Sequence, residues 1–166
     1  KTSLGLEKME YVAPSEDQIK LEAASALSAD RDSSIKNIDE KYSSKFSSLS
    51  DKAISALENK DKNISSIEDN YSSSLKKAEN SNIKQGLARS SIYNEVVKTI
   101  EENKNSGLSS VEQEYQKNIS KLENERSILE QQKESALTSF DISYASKLQN
   151  KISSINNEIS KQQEEV

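Results

Sequence analysis

The chain of 166 residues contains no cysteine and no histidine. Disulfides, thiol nucleophiles, the commonest general base and the usual transition-metal ligands are therefore all missing. Tryptophan is absent too, aromatic residues make up 5%, and hydrophobic residues of every kind only 32%. Typical globular domains carry roughly 45–50% apolar residues, so a thick, many-layered core is not expected. One proline and three glycines leave few points at which a helix must stop. No run approaches the roughly 18 apolar residues of a membrane span, and no signal-peptide h-region is present.

Charged residues are 31% of the chain and sum to -5, with Lys and Glu interleaved rather than blocked. Such a surface does not track phosphates, and nucleic acid is not an expected partner. Mean hydropathy is -0.86. The apolar supply must lie on a narrow stripe, or the chain stays disordered. The abundance of Lys, Asn, Ile and Ser resembles the codon bias of a low-GC genome, most often bacterial, and the expected compartment is the cytoplasm.

What the sequence does have is a nine-residue pattern, apolar-acidic-x-x-Tyr-x-x-x-apolar, which occurs four times. It reads IDEKYSSKF at 38–46, IEDNYSSSL at 67–75, VEQEYQKNI at 111–119 and FDISYASKL at 140–148. Apolar positions from Ile35 through Ile38, Tyr42, Phe46, Leu49, Ala53 and Leu57, then from Ile64 to Ala78, advance by threes and fours. That is a helical stripe, and its frequent 3-4-4 order mixes an eleven-residue period with heptads. The tyrosines are 29, 44 and 29 residues apart, and 29 residues is eight turns at about 3.6 residues per turn. All four face one seam, and the first pair maps onto the second by a shift of 73, as an internal duplication would produce. The seam residues are Ile38, Tyr42, Phe46, Ile67, Tyr71, Leu75, Val111, Tyr115, Ile119, Phe140, Tyr144 and Leu148.

Pro14 followed by Ser15-Glu-Asp-Gln18 opens a helix with an N-cap and acids in its first turn. Gly86 and Gly107 read as helix stops, and Ser109-x-x-Glu112 as a capping box for the next helix. The expected organisation is an extended arm at 1–14, a first long helix at 15–85, a turn with a short connecting helix at 86–107, and a second long helix at 108–166. Folding back about residue 93 sets Tyr42 level with Tyr144 and Tyr71 level with Tyr115. The fold class predicted is all-α: a long-helix coiled coil forming an antiparallel hairpin that assembles as a bundle. Serine-rich stretches such as Ser72-Ser73-Ser74 weaken isolated helices, so each arm needs partners and a homodimer is the simplest.

Chemistry-bearing motifs are few. Asp61-Lys-Asn63 imitates the start of a calcium loop, but Ser66 and Ser72 stand where the loop needs Gly and Glu. The Asn-x-Ser triplets at 63, 70 and 118 lie within the helical stripe. No catalytic residue, cofactor or metal is assigned. Two places are candidates for binding an unidentified protein partner: the apolar N-terminal arm, with Leu6, Met9 and Tyr11, and the turn, with Gly86, Arg89, Ser90 and Tyr93. The function expected is a non-enzymatic structural rod or spacer that self-associates and presents an end or turn to that partner. A scaffolding component of a larger particle is the alternative. A membrane-binding amphipathic helix is opposed by the narrow stripe and the net acidity.

Overall fold

Ser15 caps the first helix as its sequence requires. Its hydroxyl accepts from the Gln18 amide N–H at 3.3 Å, and its own N–H donates to Gln18 Oε1 at 3.0 Å. With no proline or glycine until residue 86, nothing interrupts the ladder. The structure, a computed structural model, describes residues 13–85 and 91–164. Helix α1 spans Glu16–Gln85 and helix α2 spans Ser91–Glu164. Together they form an all-α helical hairpin with no strand among the described residues. Ion pairs four residues apart, such as Lys20 with Glu16 at 3.5 Å and Arg126 with Glu130 at 3.3 Å, give the exposed faces local support.

The chain divides into two units, Lys1–Ser43 with Gln131–Val166 and Ser44–Glu130. Within the first unit, Ile19 and Ala23 of α1 pack with Ile155 of α2, flanked by Leu148, Ile152 and Ile159. Within the second, Ile67 of α1 lies against Gly107 of α2, and Lys60 of α1 pairs with Glu112 of α2. The helix segments in each unit run antiparallel.

Gly107 does not stop a helix; α2 passes straight through it. A Cβ built there would lie 3.3 Å from Ile67 Cδ1, so the glycine admits the Ile67 side chain against the α2 backbone. Close packing outweighs the local cost of glycine in a helix, about 1 kcal/mol. The separate connecting helix expected at 86–107 is consequently the first part of α2, and the second long helix begins at Ser91 rather than at 108. The capping role expected of Glu112 is replaced by contacts to Lys60 and Gln116.

The register differs as well. Tyr71 faces Lys104, eleven residues short of Tyr115, which is about 16 Å along a helix. Tyr144 likewise faces Arg31, eleven residues before Tyr42. Helix α1 ends at Gln85 and α2 already begins at Ser91, so the facing pairs centre ahead of residue 93.

Candidate functional site: cation and tyrosine clamps

All twelve seam residues are buried or half-buried, and Tyr42 is among the few buried hydrophobics of the described chain. Leu57, which the same stripe includes, is exposed instead. Residues Leu6, Met9, Tyr11, Gly86, Arg89 and Ser90 lie outside the described residues, whereas Tyr93 is half-buried in the first turn of α2.

The pattern tyrosines do more than fill the seam. Each has a cation near its ring. Lys60 of α1 stands 4.5 Å from the Tyr115 centroid, Lys104 of α2 stands 4.3 Å from that of Tyr71, and Arg31 of α1 stands 5.5 Å from that of Tyr144. Tyr42 has Lys41 of its own helix at 5.7 Å. In two of the four copies the acidic residue, three before the tyrosine, also meets a base of the opposite helix. Lys60 Nζ lies 2.6 Å from Glu112 Oε2, and Lys133 Nζ lies 3.5 Å from Asp39 Oδ1. At Lys60 the two contacts coincide: Glu112 and Tyr115, one turn apart on the same helix face, together receive one basic side chain from the opposite helix.

The Lys60 clamp is the most complete. Glu112 accepts from Lys60 on one oxygen and from Gln116 Nε2, at 2.9 Å, on the other. Those two hydrogen bonds, the Lys60 one foremost, hold the Glu112 carboxyl below its ordinary value against a smaller effect of partial burial. The same bond to Glu112 raises the Lys60 ammonium above its ordinary value. Both groups are thereby held in their charged forms over a wider pH range.

The clamps obey the duplication. Arg31, Lys60, Lys104 and Lys133 each precede a pattern tyrosine by eleven residues, and the shift of 73 carries Arg31 to Lys104 and Lys60 to Lys133. The Lys60–Glu112 bridge and the Lys133–Asp39 bridge are thus the same contact made with the roles of the helices exchanged. These four residues were not singled out from the sequence, although a base repeats at a fixed distance before each pattern tyrosine.

A family model described as "Family of unknown function (DUF7934)" matches residues 2–166. The chain belongs to this family. No curated protein and no solved structure matches it. Among the described residues there is no group of three or more acidic side chains placed to hold a metal ion, and no helix is long and apolar enough to cross a membrane.

Proposed function

We propose that the chain is a non-enzymatic, cytoplasmic structural element: a coiled-coil rod or spacer that self-associates and presents an end to a protein partner. One observation carries the reading: Arg31, Lys60, Lys104 and Lys133, which recur with the repeat, each meet a tyrosine or an acid of the opposite helix. The small buried core supports self-association. Only Ile19, Ala23, Tyr42, Leu49 and Ile155 are buried hydrophobics among the described residues. Helices this poor in buried apolar area gain most of their stability from further packing.

Sedimentation equilibrium over a hundredfold concentration range tests the proposal. A fixed multiple of the chain mass is the expected result. A single-chain mass at every concentration would overturn it, and open-ended growth would point to a scaffolding component instead.

A further inference from the structure

Between the helices of the second unit runs a groove of about 280 Å³. Its apolar floor comes from Phe46 and Leu49 of α1 with Ile119 and Leu122 of α2. Its rim is Ser50 and Ala53 on the α1 side, and Glu123 and Arg126 on the α2 side. Every α2 residue in this set is the α1 residue shifted by 73: 46 to 119, 49 to 122, 50 to 123 and 53 to 126. The groove is therefore centred on the local two-fold relation between the duplicated helices. On the α1 wall, Leu57 lies one turn beyond Ala53 and is exposed, so the apolar strip extends past the groove without cover.

We infer that a second copy of this chain occupies this groove, face to face about a two-fold axis parallel to the helices, completing a four-helix bundle. The inference rests on the self-associating reading above and names the face that associates. Two features select a second copy over another protein. A contact surface that already repeats itself suits an isologous interface, in which the same patch is used by both partners. The two walls also differ where the duplication has diverged: Ser50 and Ala53 are small, whereas Glu123 and Arg126 are long and charged. An axis along the helices places the small wall of each copy against the long wall of the other. Each copy supplies both what protrudes and what receives it.

The chain has no cysteine, so single cysteines can report the geometry directly. Oxidising a mixture of full-length Ser50→Cys and Glu123→Cys chains should give a covalent two-chain species in high yield, and Ser50→Cys alone should give little. In parallel, Ser50→Arg at this exposed position fills the groove from the rim and should weaken association at least tenfold. The matching control is Ile142→Arg, an exposed residue of the first unit, which should leave the mass unchanged. Loss of helicity in Ser50→Arg would shift the decision to the cysteine pair, which is nearly isosteric at residue 50. If the parent chain associates but gives no mixed cross-link, the groove is not the interface, although self-association stands. If the parent remains a single chain, the self-association reading and this inference fall together.

Discussion

Ile19 and Ala23 in the first unit are 7% and 0% exposed, whereas Ile92 and Val96 in the second are 63% and 41% exposed. The shift of 73 that relates the arms makes these matching positions. The difference lies in the opposing segments. Around Ile19 and Ala23, α2 supplies Leu148, Ile152, Ile155 and Ile159. The matching residues of α1 begin with Leu75 but continue as Glu79, Asn82 and Gly86. Asn82 is itself buried, and among the described residues its Oδ1 has no hydrogen-bond partner. One duplicated surface thus closed as an apolar cluster at one site and remained open at the other, where Glu79, Asn82 and Gly86 stand in the places of three isoleucines.

The largest expected effect breaks the closed cluster. Ile155→Ala should cost about 2–4 kcal/mol in chemical denaturation, because the side chain leaves a cavity among packed neighbours. Ile92→Ala at an exposed site should cost less than about 0.5 kcal/mol. Equal losses would mean that the two sites are not different in kind.

A smaller effect should come from repairing the open site. Asn82→Ile restores the residue type found at 155 and removes a buried acceptor left unpaired, so it should stabilise the chain by about 1 kcal/mol. A loss of stability would show that Asn82 has a role the apolar residue cannot replace.

The smallest effect concerns the clamps, whose charges are partly solvated. Glu112 has its carboxyl held below the ordinary 4.5. Its contribution is present above that value and is lost as pH falls through the folded-state value. Lys60 is held above the ordinary 10.5, so its contribution is present below that value and is lost as pH rises through the folded-state value. Between these limits stability should be nearly flat with respect to this pair. Glu112→Gln should shallow the acid-side loss of helicity, followed by circular dichroism from pH 6 to pH 2. An unchanged acid limb would remove Glu112 from the account.

The helical seam and the cap at Ser15 could be read from the sequence, because both are local patterns with one physical meaning. Gly107 could not. Its local preference for ending a helix was overruled by Ile67, a contact 40 positions away in the chain. The register was missed for a related reason: the duplication fixes how far the arms are offset in sequence, but contacts between the helices decide where they meet. The clamp bases were visible as letters, yet their role depended on a register that was still unknown. In the register that sets Tyr71 beside Lys104, the pattern acids Asp39 and Glu112 meet Lys133 and Lys60.

The uneven tyrosine spacing acts like the teeth of a key. A helix with an apolar stripe can slide along its partner and still bury hydrophobic side chains, so the stripe alone tolerates several alignments. The bases at 31 and 60 meet the tyrosines at 144 and 115 in one alignment only, which also sets Lys104 beside Tyr71. Sliding the helices by 29 residues in either direction would return just one tyrosine to a base on each helix, half of the full set. The cation and tyrosine contacts therefore select one position among those the stripe tolerates, together with the seat of Ile67 on Gly107.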